Sequence, residues 1–392
     1  MTDRAGCGSI GPVRRTIFED EHTTFRESAR AFFAREAVPH TDAWEAAGLV
    51  DRSFWVKAAE SGFVGFEAPE EYGGLGLEDF RFNAILDEEV AYAGAVGDNF
   101  SLENDIVAPY LVKLTNDEQK ERWLPPFTRG ELIVAIALTE PGAGSDLQAM
   151  SASAELDGGS YVLNGSKTFV TSGIQADLVI VAARTARGGG RDGFSLLMVD
   201  KDMDGFDRGR KLAKIGRRAQ DTAELYFNQV EVPVENRLGE EGMGLQYLKS
   251  ELPRERLSIA VSAVAAAEHA LELTLDYIRE RTAFGQPVGS FQANRFAVAE
   301  LSTKIAAARA YVDRCIVALN GGELSGAEAA GVKALTTDLQ FEVLDRCLQL
   351  HGGYGYMDEY KVSRLWRDAR VQRIYGGTNE IMKEIVGRSL GL

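Results

Sequence analysis

The sequence predicts an α+β protein, mainly α, built as three consecutive modules: helical, β and helical again. Three observations carry that expectation. Apolar residues recur at helical spacing from Ile17 to about Gly130. Short runs rich in Val, Ile, Tyr and Phe, separated by glycine turns, fill the middle third, and helical spacing returns after about Val232. The modules are drawn at residues 1–131, 132–236 and 237–392.

In the first module Phe25, Ala29, Phe32 and Phe33 share one helical face, and loops such as APEEYGGLGLEDF interrupt the pattern. In the second, IVAIAL, YVLNG, KTFVTSG, DLVIVAAR, FSLLMVD and ELYFNQVEV read as antiparallel strands between the turn signals DGG, ARGGGRDG and DMDG. In the third, long Ala- and Leu-rich segments cover 244–281, 291–320, 326–350 and 378–388. Within the first of these, Leu257, Val261, Val264, Ala267, Leu271, Leu275 and Ile278 form one apolar stripe. Between Leu257 and Ala267 only Ser258 and Ser262 interrupt the hydrophobic text, as expected of a helix buried all round in a bundle. The N-terminal end of that helix carries Glu255.

Composition narrows the classes. With 45% hydrophobic and 26% charged residues in 392, the chain has material for a sizeable core and is neither disordered nor a disulfide-stapled miniprotein. A formal charge of −16 argues against nucleic-acid binding through a basic field. Cys7, Cys315 and Cys347 form no CxxC, and His22, His40, His269 and His351 are scattered, so no metal site is expected. The start, MTDRAGCGSIGPVRRTIFEDE, lacks a secretory apolar core, and no window reads as the roughly 20 apolar residues of a membrane span. A cytoplasmic location is expected.

GxxxxGK[ST], HExxH and GxSxG are missing from the text, and TEPGAGSD lacks the third glycine of a Rossmann fingerprint. What remains is a set of Gly/Ser/Thr-rich turns. ALTEPGAGSD leaves a strand and offers Thr139, Ser145 and backbone N–H groups that a dinucleotide can approach, although such a tract is also an ordinary turn. In NGSKTFVTSG, Phe169 and Thr171 stand two apart on one side of a strand, where a ring face and a hydroxyl can meet a planar cofactor; core packing of Phe169 is the alternative. HGGYGY and IYGGTNEI join glycine pairs to helices, with Thr378 where an N-cap belongs, and capping explains them equally well. Arg281 closes a long helix, where the C-terminal dipole would also favour it.

Together and in this order, AIALTEPGAGSD, NGSKTFVTSG, QDTAELYF, ERTAFGQPVGSFQ, QLHGGYGYMDEY and IYGGTNEIMKEI resemble the acyl-CoA dehydrogenase family of flavoenzymes, from about Phe18 to Leu390. The resemblance implies an N-terminal helical domain, a central antiparallel β domain and a C-terminal four-helix bundle. It also implies FAD and a homotetramer, or a dimer. By the same resemblance Ile136, Ala137, Leu138, Thr139, Gly144 and Ser145 would line the isoalloxazine and pyrophosphate, with Ser145 also near the CoA arm. Phe169, where many members have Trp, and Thr171 would flank the ring. Arg281 and Gln292, with Gln349, Leu350, Gly352 and Gly353, match residues that reach the FAD of a neighbouring subunit. Thr378, Asn379 and Glu380 match a further FAD contact, Arg256 a residue near bound CoA, and Gly376 and Gly377 residues at the substrate.

One departure shapes the expected mechanism. Many members place a catalytic glutamate where this chain has Gly376, so that position has no side chain. The isovaleryl and long-chain branches carry the carboxylate on the long bundle helix instead, and here LPRERLSIA supplies Glu255. The resemblance thus implies α-proton abstraction by Glu255, β-hydride transfer to FAD and a trans-2-enoyl-CoA product from a fatty acyl-CoA of medium to long chain. The Gly376 N–H would donate to the thioester oxygen, and an electron-transfer flavoprotein would take the electrons. A helix-start glutamate paired with an arginine is the bland reading of Glu255. The competing functions are a flavin oxidase or monooxygenase on the same fold, and a catalytically silent acyl-CoA-binding protein.

Overall fold

The computed structural model describes residues 15–95, 99–185 and 193–392; Cys7 and most of the ARGGGRDG turn lie outside them. The first third is helical: α1 (Asp20–Glu36), α2 (Thr41–Ala47), α3 (Arg52–Glu60), α4 (Phe80–Ala93), α5 (Asn99–Ser101), α6 (Ala108–Lys113) and α7 (Asp117–Thr128). A π-helical stretch, Leu102–Val107, joins α5 to α6. The strands follow: β1 (Val134–Ala137), β2 (Ser153–Asp157), β3 (Ser160–Thr171), β4 (Leu178–Arg184), β5 (Phe194–Asp200), β6 (Phe206–Lys211), β7 (Thr222–Pro233) and β8 (Arg237–Leu238). The last third holds α8 (Gly244–Glu280), the small hairpin β9 (Thr282–Ala283) and β10 (Gln286–Pro287), α9 (Gln292–Asn320), α10 (Gly326–His351), α11 (Lys361–Ala369) and α12 (Asn379–Ser389).

The sheet runs β6-β7-β3-β2-β4-β5-β8, with β1 also on β4. It is mixed and not wholly antiparallel, because β1 and β2 both pair parallel with β4. A short hairpin delivers only antiparallel neighbours, whereas the β2–β3 hairpin inserted between β1 and β4 supplies the long crossover that parallel pairing needs. In β4, Leu178, Ile180 and Ala182 enter one hydrophobic core while Val179, Val181 and Ala183 enter another. The strand is therefore buried on both faces, which is why LVIVAA is continuously apolar and does not alternate.

By its contacts the chain forms two compact units, and these cut across the three modules read along the sequence. Among the described residues, one comprises those up to Ser28, Phe80–Gly94 and Arg256–Leu392; the other comprises those of Ala29–Asp79 and Ala95–Glu255. The second unit contains the eight-stranded sheet, with Leu111, Trp123, Leu124 and Phe127 packed into the core on one of its faces.

The first unit is a helical bundle around α8. Leu257, Val261, Val264, Ala267, Leu271 and Ile278 are buried in one core with residues of α9 and α10, as the stripe requires, and Phe80 and Ala84 of α4 join them. Truncating such a leucine costs about 2–5 kcal/mol. The other faces of α8 are buried too, at Ile259, Ala263, Ala265 and Ala266. By length and composition α8 does pass for a membrane span, contrary to the expectation of no such window, but 78% of that apolar stretch is buried inside the protein. Ser325 and Glu328 start α10 with a reciprocal capping box, Glu328 N–H donating to Ser325 Oγ at 3.1 Å and Ser325 N–H to Glu328 Oε2 at 3.0 Å.

The bundle also buries charge. Glu88 of α4 takes Arg15 at 2.8 Å, Arg26 at 2.7 Å and Arg309 at 2.7 Å, and Arg309 extends the network to Glu268 at 2.6 Å. Three guanidinium groups outweigh the burial that would raise the Glu88 carboxyl and hold it down at about 2.

Candidate active site

In the second unit the turn after β1 is clamped to β3 by a buried ion pair. Lys167 Nζ lies 2.8 Å from Glu140 Oε1 and donates to the Leu138 carbonyl at 2.9 Å. Glu140 further accepts from Ser151 N–H at 2.7 Å, Ser151 Oγ at 2.8 Å and Ala152 N–H at 3.0 Å. Burial alone would raise the Glu140 carboxyl, but Lys167 and the two N–H donors hold it below the usual carboxylate range. Burial lowers Lys167, against the pull of Glu140. The carboxylate thereby fixes the whole 138–152 segment.

That segment presents most of the expected cofactor residues. Ile136, Leu138 and Thr139 are half-buried, while Gly144 and Ser145 are exposed on the turn. A Cβ at Gly142 or Gly144 would meet nothing within 4 Å, so a ligand has open access to this backbone. Ala137 is fully buried in the sheet core, so a ligand can meet only its main chain. The Thr168 N–H donates to the Thr139 carbonyl at 2.9 Å, which sets the end of β3 beside this turn.

Phe169 sits at a bulge in β3. The register of β3 shifts between Lys167 and Val170, Lys167 and Thr168 are both buried, and Phe169 takes φ 57°. A bulge thus breaks the alternation ahead of Val170, while from Phe169 to Thr171 burial still runs exposed, buried, half-buried. Left-handed backbone at a bulky residue costs about 1–2 kcal/mol and is found where a site needs it. Phe169 is 68% exposed, which removes the core-packing alternative, and Thr171 beside it is half-buried. Downstream, Asp221 of the QDTAELYF tract holds the turn after β3, accepting from Ile174 N–H at 2.7 Å.

Glu255 also belongs to this unit, and the structure revises its setting. It lies eleven residues into α8, which starts at Gly244, and so is beyond the first turn where a helix dipole acts. The helix dipole therefore does not account for Glu255. Its neighbour Arg254 forms a buried ion pair with Glu67 and reaches the Asn104 carbonyl at 3.4 Å. Burial raises the Glu67 carboxyl, with Arg254 pulling it back. Glu255 itself is half-buried. Burial pushes the Tyr110 hydroxyl up, and the carboxylates of Glu255 and Glu251 push it further.

In the first unit Arg281, Gln349, Leu350, Gly352 and Gly353 line one open groove of about 460 Å³, together with Tyr277 and Tyr354; Gln292 is exposed and not part of its lining. His351 stacks on Tyr277 at 4.3 Å, its Nδ1 2.8 Å from the Cys347 carbonyl, and burial lowers its pKa. The Arg281 guanidinium lies 6.0 Å from the Tyr354 ring.

At the start of α12, Thr378 is the N-cap, its hydroxyl accepting from Ile381 N–H at 3.3 Å. Glu380 is exposed. Asn379 is 1% exposed and its amide is fully engaged, accepting from Lys333 Nζ at 3.0 Å and Thr337 Oγ1 at 3.1 Å and donating to Asp338 Oδ1 at 2.9 Å. Its side chain is committed to joining α12 to α10, so a cofactor contact falls to its backbone. Gly376 and Gly377 both take left-handed φ, 65° and 91°. Arg256 is buried, with Nε 3.4 Å from the Gly376 carbonyl.

The sequence reading missed Lys167, Glu140, Lys333 and Tyr110. A signal existed for three of them. Glu140 and Lys167 sit inside the quoted tracts, and Lys333 interrupts a helical face of Ala329, Ala330, Thr336, Thr337 and Gln340. Among the described residues, Glu19, Glu21 and His22 bring potential metal-ligand atoms within 4.8 Å of one another. His22, however, is fully buried and accepts from the Glu19 N–H at 3.2 Å, serving the start of α1.

An exposed ring in strained backbone, beside an open glycine turn held by buried charges, suits a flat cofactor with a phosphate arm, and FAD fits these residues. Comparison with known proteins defines the class. Family models match in three stretches: the acyl-CoA dehydrogenase N-terminal domain over residues 19–131, the middle domain over 135–230 and the C-terminal domain over 242–391. The chain is 48% identical over 378 residues to a mitochondrial long-chain specific acyl-CoA dehydrogenase of Sus scrofa, covering 96% of this chain and 88% of that protein. A crystal structure of an acyl-CoA dehydrogenase from Geobacillus kaustophilus superposes with a TM-score of 0.94 at 46% identity, covering 97% of this chain and all of that one (100%). An acyl-CoA dehydrogenase from Bacillus anthracis complexed with FAD gives 0.88 at 31% identity, covering 95% of this chain and 68% of that one. The protein belongs to the acyl-CoA dehydrogenase family.

Proposed function

We propose that the protein is an FAD-dependent acyl-CoA dehydrogenase that converts a medium- to long-chain fatty acyl-CoA to its trans-2-enoyl-CoA, with Glu255 as the base. The observation that carries this reading is a chain that keeps Glu255 on α8 and has no side chain at Gly376, in a protein whose Sus scrofa relative is a long-chain specific enzyme. FAD, when bound, accepts the hydride that leaves the β-carbon.

The residues of the chain supply the rest. The Ile136–Ser145 segment, Phe169 and Thr171 would hold the ring and its phosphate arm, with Thr378, Asn379 and Glu380 as a further contact. Glu255 takes the α-proton, which is weakly acidic until the thioester oxygen receives hydrogen bonds. The Gly376 N–H gives one such bond, a backbone role that survives the loss of a side chain. Arg256, Ser145 and Gly377 would lie along the CoA thioester.

We infer a homotetramer in which Arg281, Gln292 and the Gln349–Gly353 segment complete a neighbouring subunit's cofactor site, and an electron-transfer flavoprotein as acceptor. A cytoplasmic location suits Cys315 and Cys347, which are buried free thiols. The test is anaerobic mixing of the purified yellow protein with acyl-CoA thioesters of graded length, recording flavin bleaching. Bleaching strongest with medium to long chains is expected; none with any thioester would overturn the reading.

A further inference from the structure

We propose that Lys333 is a positioning residue for the reaction, holding the Gly376–Gly377 turn so that the Gly376 N–H faces the thioester oxygen. This rests on the reading that Gly376 N–H receives that oxygen. Lys333 is fully buried on α10, and its Nζ donates to the Gly377 carbonyl at 2.8 Å and to Asn379 Oδ1 at 3.0 Å. From α8, Arg256 Nε reaches the preceding carbonyl, that of Gly376, at 3.4 Å. A Cβ built on Gly377 would lie 3.9 Å from the Arg256 guanidinium and 2.6 Å from the end of Met382, which shows how closely the turn is enclosed.

Two consecutive glycines in left-handed backbone have no side chains to define them and lose more freedom on ordering than any other pair. Something else must fix their peptide planes. Basic side chains from two different helices, each donating to one of two successive carbonyls, do this. The Gly376 N–H belongs to the peptide plane that precedes these two carbonyls, so tethering both fixes the two planes that leave the Gly376 Cα and with them the hinge from which that N–H points. An oxyanion-type donor is effective only when its direction is set before charge develops. Lys333 acts through the turn, without touching substrate or flavin.

The experiment uses the FAD-loaded protein and a chromophoric aryl-acryloyl-CoA thioester, whose absorption moves to the red when its carbonyl accepts a strong hydrogen bond. Lys333→Met should bind FAD and the thioester, with KM within about threefold of wild type, while kcat falls at least about tenfold and the red shift shrinks. Lys333→Gln, which keeps an N–H donor, should recover part of both and serves alone if the Met variant fails to fold. If a variant keeps the wild-type shift per bound flavin, whatever its activity or melting temperature, Lys333 is a packing residue only and the proposal is overturned. If the wild-type protein itself gives no red shift, the assignment of the Gly376 N–H fails first.

Discussion

Lys167 Nζ and Glu140 Oε1 meet at 2.8 Å with side chains 0% and 4% exposed, so a full ion pair is sealed beneath the turn that carries Thr139, Gly144 and Ser145. Removing one partner strands the other charge in the interior. Glu140→Gln or Lys167→Met should each cost about 3–5 kcal/mol in denaturant unfolding, while the double change costs clearly less than the two together. Equal, additive losses under about 1 kcal/mol would show that the pair does not hold the segment.

Glu255→Gln keeps the shape of the side chain and removes its basicity. Flavin reduction by acyl-CoA should slow by about 10²–10⁴-fold in stopped flow, with FAD content unchanged. A rate near wild type would remove Glu255 from the chemistry.

Phe169 separates stability from function. With its ring mostly exposed and φ at 57°, Phe169→Gly gives up little buried area and relieves left-handed strain. The apoprotein should unfold within about 1 kcal/mol of wild type, whereas FAD affinity should fall about tenfold by titration, as expected for a lost stacking contact. A large loss of apoprotein stability with normal FAD affinity would reverse the assignment.

The Glu88 network sets an acid limit. Its carboxyl sits at about 2 in the folded protein against about 4.3 for an unperturbed glutamate, so the unfolded chain takes up the proton first as pH falls. The stabilisation is complete above about pH 5 and is lost progressively toward pH 2. Unfolding free energy measured across that range should fall less steeply in Glu88→Gln than in wild type; parallel slopes would exclude Glu88 as a major contributor.

Features that follow from local periodicity were legible in the sequence. The α8 stripe from Leu257 to Ile278 and the N-cap at Thr378 stand where spacing and residue type put them. Helix α11 was not anticipated, although Val362, Leu365 and Ala369 repeat at three and four and are buried. The parallel pairing of β1 with β4 depends on which strands become neighbours, and residue pattern alone does not encode that. The roles of Lys167 and Lys333 depend on partners 27 and 46 positions away, Glu140 and Asn379. Their own segments mark the two positions but not the partners they meet. The setting of Glu255 was misjudged for another reason: the segment was read from 244, where α8 does begin, yet Glu255, eleven residues in, was placed at its N-terminal end.

The 138–152 turn is finished before any ligand arrives. With the Glu140 oxygens already taken by Lys167, Ser151 and Ala152, little ordering entropy remains to be lost when a dinucleotide docks. Recognition here is preorganised: affinity is decided by what the ligand touches, not by any cost of moulding the loop around it.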